Sequence, residues 1–206
     1  MRLEPFALRG SWVSLEPLSR DHVEDLVNAA NEDRSTYGFT SVPHDRQSAQ
    51  VYVDQLLADA RGDTAVPFVQ RRVADGAVVG CTRYMNLAWW GGRDTPAEVE
   101  VGGTWLAADA QRTPINTEAK LLLLTHAFEV WGVFRVAICT AAANERSRRA
   151  IERLGATFEG VLRNHRPLVG DVVETAGRPR DSALYSILDR EWPSVRSTLR
   201  AKLDAG

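Results

Sequence analysis

Four consecutive leucines, Leu121-Leu122-Leu123-Leu124, follow at once on the polar stretch Gln111-Arg112-Thr113-Pro114-Ile115-Asn116-Thr117-Glu118-Ala119-Lys120. The spacing predicts a helix over 116–131 in which Leu121, Leu124, Phe128 and Trp131 form one apolar stripe with Leu122 and Leu123 beside it. More than one face of this helix must therefore be covered, which places it inside the fold. Its start is a different matter. A polar loop that opens directly into a helix collects unpaired backbone N–H groups and the positive end of the helix dipole. An anionic phosphate is the natural occupant of such a place.

The elements around this helix follow from alternation and from stop signals. Residues 12–18 alternate as a first strand, and Pro17-Leu18-Ser19 leads into a helix over 21–30. Residues 31–43 are turn-rich, and a second helix is expected over 46–60, ending near Gly62. Strands over 66–73 and 78–87 flank the hairpin turn Asp75-Gly76. The fourth strand, 98–106, carries Gly102-Gly103 in its middle, which marks a bulge or a close backbone approach. A short strand over 134–141 follows the central helix, and Asn144 and Gly155 bracket another helix. Strands over 158–162 and 181–188 and a helix over 192–203 complete the order. Strand, two helices, three strands, helix, strand, helix, two strands and a final helix describe a mixed α/β sheet of about seven strands.

With 206 residues and no linker-like stretch, the chain reads as one domain over 1–206. A net charge of −2 offers no general attraction to nucleic acid or to an anionic membrane. No apolar run approaches the ~20 residues of a membrane span and the amino terminus lacks a signal segment, so a cytoplasmic protein is expected. Cys81 and Cys139 lie in strand-like stretches without metal-binding spacing and read as reduced core thiols, and the four histidines are scattered, so no metal is expected. No Gly-x-x-x-x-Gly-Lys-Ser/Thr and no Gly-x-Ser-x-Gly occurs, which removes the P-loop and the α/β-hydrolase elbow.

The element order, together with Glu98-Val99-Glu100-Val101-Gly102-Gly103-Thr104-Trp105-Leu106, the Arg112-Thr113-x-x-Asn116-Thr117-Glu118-Ala119-Lys120 loop, Asn144-x-x-Ser147-x-x-Ala150-Ile151-x-x-Leu154-Gly155-Ala156, Glu159-Gly160-x-x-Arg163 and Arg180-Asp181, resembles the GNAT superfamily of acyl-coenzyme A N-acyltransferases, closest to its Rim-type branch. The resemblance spans roughly residues 10–192 and implies a mostly antiparallel central sheet with helices on both faces. It also implies that the fourth and fifth strands splay to hold acetyl-CoA. The implied reaction is direct attack of a primary amine, on a protein N-terminus or a small molecule, with a homodimer as a further expectation of the family. The rival readings are an acyl-CoA-binding module without turnover that acts through a partner, and a transferase for a different acyl group. One departure stands in the loop: the superfamily's glycines are replaced by Pro114 and Asn116.

On this reading Trp105 and Leu106 lie on the cofactor-holding strand, and Arg112, Thr113, Ile115, Asn116 and Thr117 face the pyrophosphate. Backbone N–H groups from Thr113, Ile115, Asn116 and Thr117 supply donors, Asn116 tolerates the left-handed conformation glycine would give, and Arg112 adds charge. Asn144 is both a helix cap and a ligand for the pantetheine arm, with Ser147 and Arg148 on the same helical face. Ile151 stands where many relatives carry a tyrosine acid, which leaves Ser147 or water to protonate the thiolate. An amine must lose a proton to attack. Glu98 and Glu100 share a strand face, and Glu100, nearest the bulge, is the candidate base through a water, or else a structural carboxylate paired with Arg83 or another cross-strand base. Trp89-Trp90 is a candidate acceptor wall or dimer contact, or else a peripheral core anchor, and the 167–179 segment with Tyr37-Gly38-Phe39 is a candidate acceptor wall.

Overall fold

The computed structural model describes residues 3–168 and 178–205. Its centre is an eight-stranded sheet in the order β1-β2-β3-β4-β5-β6-β8-β7, made of β1 (Leu8–Arg9), β2 (Val13–Pro17), β3 (Ala65–Arg72), β4 (Val78–Ala88), β5 (Glu98–Leu106), β6 (Arg135–Ala141), β7 (Thr157–Pro167) and β8 (Pro179–Leu188). All neighbouring strands run antiparallel except β5 and β6. The helices are α1 (Val23–Ala30), α2 (Arg46–Arg61), α3 (Pro114–Thr125), α4 (Glu145–Arg153) and α5 (Trp192–Asp204).

Side-chain alternation assigns the helices to faces. Cys81 and Trp105 are paired across β4 and β5, and Trp105 Nε1 donates to Tyr52 on α2. Three residues along, Tyr84 points the other way and its hydroxyl donates to the Leu123 carbonyl on α3. Ile138 and Tyr185 are cross-strand partners, and Arg148 on α4 binds the Tyr185 hydroxyl. Phe128, in the turn after α3, stacks on Trp192 of α5. Thus α1 and α2 cover one face over β3–β5, and α3, α4 and α5 cover the other.

The eighth strand, β1, was not legible in the alternation because it has only two residues. Its position comes from α3. Glu118, buried in that helix, accepts the N–H groups of Ser11, Trp12 and Val13 at 2.8, 2.7 and 2.8 Å and so fixes the turn between β1 and β2. Gly10 is needed there, since a Cβ would stand 2.3 Å from the Glu118 carboxyl carbon. The central helix also starts earlier than its apolar pattern suggests. Thr113 caps it and Pro114 occupies its first turn, where a missing N–H costs nothing. It ends in a π-helical turn over His126–Val130 and then Gly132 at φ 62°. No helix among the described residues is long and apolar enough to cross a membrane.

Candidate active site

Only three residue pairs hold β5 to β6: Glu98–Arg135, Val99–Val136 and Glu100–Ala137. Beyond them β5 continues to Leu106 and β6 to Ala141 without pairing, so the sheet opens into a V. The closed end is tied by charge. Arg135 donates from Nε to Glu98 at 3.1 Å and from both terminal nitrogens to Glu159 on β7 at 2.5 and 2.6 Å. At the opening, β5 carries an extra residue, since Arg83 and Cys81 pair with Gly102 and Trp105. The extra residue is Gly103 at φ 58°, and the Arg83 guanidinium lies where its Cβ would be, 2.4 Å from Nη1. Only glycine satisfies both conditions. The bulge expected at Gly102-Gly103 is present, and it turns β5 away from β6.

Two helix starts stand at the mouth of the V. Thr113 Oγ1 donates to the Ala110 carbonyl at 2.7 Å and accepts the Ile115 N–H at 3.3 Å, so the Ile115 donor is already engaged. The N–H groups of Arg112 and Thr113 have no acceptor among the described residues. The left-handed residue of the loop is Arg112, at φ 62°, and not Asn116, which lies inside the helix with Thr117. Ile115 is buried and packs in the core, whereas Arg112 is exposed. Asn144 caps α4 by accepting the Ser147 N–H at 3.0 Å, which leaves its amide nitrogen as a spare donor. The Ser147 hydroxyl has no partner among the described residues.

Arg148 turns away from the mouth: Nε binds the Tyr185 hydroxyl at 3.0 Å and the guanidinium lies over Phe158. Its neighbour Arg146 instead bonds Gln111 in the loop before α3 and so links the two helix starts across the cleft. The Arg146-Ser147-Arg148 triplet does not by itself show which arginine crosses the cleft, and the contact with Gln111 picks out the first. Trp105 is buried against Tyr37 and Tyr52, so only its backbone can meet a ligand in the V. The Leu106 carbonyl is taken by Tyr37 Oη at 3.1 Å and Gln111 Nε2 at 2.8 Å.

Glu100 stands at the fork itself and is buried. Its partner is not Arg83 but Arg166 of β7, which donates from Nη1 to Oε1 at 2.9 Å and from Nη2 to Oε2 at 2.6 Å. Asn86 adds a bond to Oε2 at 2.8 Å. A carboxylate offers about four acceptor positions, so one remains, on Oε1. The bond to Glu100 holds the Arg166 pKa above its ordinary value. Arg166 was missed because the β7–β8 hairpin extends beyond the strands read over 158–162 and 181–188. Of the 167–179 segment named as an acceptor wall, 169–177 lie outside the described residues.

Behind the fork, on the α3 side, Lys120 is buried with Nζ 2.5 Å from Thr104 Oγ1 and 3.3 Å from Thr82 Oγ1. No carboxylate pairs with it among the described residues, and burial lowers its pKa to about 7. Cys81 and Cys139 are free thiols; burial raises the first to about 12 and moves the second upward. No cluster of His, Cys, Asp or Glu suited to a metal ion occurs among the described residues.

Comparison with known proteins accords with this geometry. The family described as Acetyltransferase (GNAT) domain matches residues 13–157. YdaF of Bacillus subtilis (strain 168), provisionally named a ribosomal N-acetyltransferase, is 34% identical over 180 residues, which is 86% of this chain and 90% of YdaF. The crystal structure of a GCN5-related N-acetyltransferase from Brucella melitensis superposes with a TM-score of 0.82 at 30% identity, covering 98% of this chain and 87% of the other. RimJ of Mycobacterium smegmatis, solved in complex with CoA-disulfide, shares the fold with a TM-score of 0.75 at 24% identity over 96% of this chain and 93% of its own. A sheet parted after Glu100, two helix starts facing the gap and a family match over most of the chain lead to one conclusion: the protein belongs to the GNAT acetyltransferase family.

Proposed function

We propose that the protein transfers the acetyl group of acetyl-CoA to a primary amine by direct attack in a ternary complex. The observation that carries this reading is the unpaired β5 edge beyond Glu100, which leads from the buried carboxylate to the α3 and α4 starts. An extended pantetheine arm fits beside such an edge, because its amides meet unpaired strand groups. The pyrophosphate then reaches the free N–H groups of Arg112 and Thr113, with the Arg112 and Arg146 charges beside it. The RimJ structure with CoA-disulfide lends support through its shared fold. Asn144 offers its spare amide donor to the arm.

The amine lone pair attacks the thioester carbon, the C–S bond breaks, and the nitrogen's proton passes through a water to Glu100 Oε1. A backbone N–H between Val101 and Gly103 steadies the oxyanion, and the thiolate takes a proton from Ser147 or solvent. The acceptor is a protein N-terminal amine, a reading in keeping with the ribosomal N-acetyltransferase name of YdaF, or a small-molecule amine.

The test is release of free thiol from acetyl-CoA in the presence of an amine panel, with the acetylated product identified by mass. Binding of acetyl-CoA with no thiol release for any amine would convert the reading into a binding module. Glu100→Gln is expected to lower turnover about 10²- to 10⁴-fold while sparing cofactor affinity, with the defect shrinking as pH rises and the amine becomes neutral by itself. The same substitution weakens the Arg166 pair, so a loss that is flat across pH would assign Glu100 to structure alone.

A further inference from the structure

The β7–β8 hairpin sets two arginines directly opposite each other, Arg166 and Arg180. Like charges so placed repel and weaken a ladder. Glu100 answers one of them, taking both terminal nitrogens of Arg166. Arg180 has no ion-pair or hydrogen-bond partner among the described residues, and its buried Nε lacks an acceptor. Burial, and then the neighbouring Arg166 charge, pull its pKa down. A guanidinium nevertheless stays protonated. Among the described residues, then, Arg166 has an anion to meet it and Arg180 has none within ion-pair distance.

The register tells which part of a ternary complex this cation faces. Ser182 pairs with Ala141, so Arg180, two residues before Ser182, lies on the same face as Ala141 and Cys139, at the open end of β6. Glu100 pairs with Ala137 and shares that face. Tyr185, five residues from Arg180, points to the opposite face, where Arg148 of α4 binds it. Arg180 thus lies on the Glu100 face of the sheet, and α3 and α4, whose starts would hold the pyrophosphate, lie on the other. An anion at Arg180 belongs to the acceptor.

We propose, resting on the acetyltransferase reading, that the acceptor is an amine bearing a carboxylate, which pairs with Arg180 while the amine nitrogen is presented to Glu100. The planar fork of arginine matches a carboxylate with two parallel bonds. The carboxylate comes either from an acidic first residue of a polypeptide or from the α-carboxyl of a free amino acid.

The experiment uses matched acceptors that differ in one charge. Peptide amides beginning with Asp or Glu are compared with those beginning with Asn or Gln, and free amino acids with their amides, using acetyl-CoA as donor. Within one of the two series the carboxylate member is expected to have kcat/KM at least about tenfold higher, mostly through KM. That series names the source. Arg180→Gln is expected to erase the preference and Arg180→Lys to restore part of it, with unchanged CoA affinity showing that the variants are folded. In parallel, calorimetry on the CoA-loaded protein compares N-acetylglutamate with N-acetylglutamine, and an N-acetyl-glutamyl peptide amide with its glutaminyl counterpart. Carboxylate-selective binding that Arg180→Gln abolishes, without acetylation of any amine, would uphold the anion site and sink the acetyltransferase reading. Acetylation and binding that are indifferent to the carboxylate in both series overturn the present proposal and leave the enzyme reading standing.

Discussion

Asn144 and Gly103 are two single positions where local backbone geometry and the proposed binding site meet. Asn144 uses its side-chain oxygen on the Ser147 N–H and keeps its nitrogen free. Asn144→Ala is expected to cost about 1 kcal/mol of stability from the lost cap and to weaken acetyl-CoA binding as well. Asn144→Asp keeps the cap but removes the donor and adds negative charge, so the melting temperature should hold while calorimetric affinity falls. Equal affinity for both would make the residue a cap only. Gly103 has a different constraint, since φ 58° and the Arg83 guanidinium both exclude a Cβ. Gly103→Ala should lose roughly 1–2 kcal/mol from backbone conformation alone, plus the displacement of Arg83. Adding Arg83→Ala should return the second part and not the first, a separation that denaturant unfolding of the single and double variants would measure.

At the scale of elements, α3 ties the 111–113 loop to the sheet through two buried charged side chains of different fate. Glu118 is satisfied by three backbone N–H groups, whereas Lys120 meets only two threonine hydroxyls. Burial takes Lys120 from an ordinary 10.5 to about 7 in the folded protein. Between those values the folded chain binds fewer protons than the unfolded one, so stability rises with pH, by at most ~1.4 kcal/mol per unit. The window to use is pH 7 to 9, because above it Cys81, raised by burial to about 12, begins to pull the other way. Lys120→Met is expected to raise the melting temperature at pH 7 and to flatten its climb toward pH 9. A variant that melts lower than wild type throughout would show that the contacts with Thr82 and Thr104 outweigh the cost of burying the amine.

For the molecule as a whole, the amino-terminal flank is expected to give way first in acid. His126 stacks on Phe6 at 4.1 Å and meets Trp131 edge-on at 4.7 Å between ring centroids, and burial lowers its pKa to about 4. Folded protein binds fewer protons than unfolded there too, so the stability held above pH 6.5 is lost as pH falls toward 4. Hydrogen exchange is expected to show residues 3–15 opening first as acid is added. His126→Gln should make that opening less dependent on pH, and an unchanged dependence would move the cause to the carboxylates. The order of the elements after β1, the buried central helix, the bulge at Gly102-Gly103 and the Asn144 cap of α4 were legible in the chain, because periodicity, glycine and capping are local properties of neighbouring residues. The start of α3 was misread by two residues because Thr113 and Pro114 carry no apolar period, yet they are the cap and first turn. Contacts between distant residues had no such signal. That Glu100 meets Arg166, 66 positions away, that Arg146 and not Arg148 reaches Gln111, and that Arg180 is left without an ion-pair partner among the described residues were decided when the β7–β8 hairpin and α4 packed around the fork. A residue's type and spacing determine which bonds it is able to make, and only the packed sheet determines which partner is within reach.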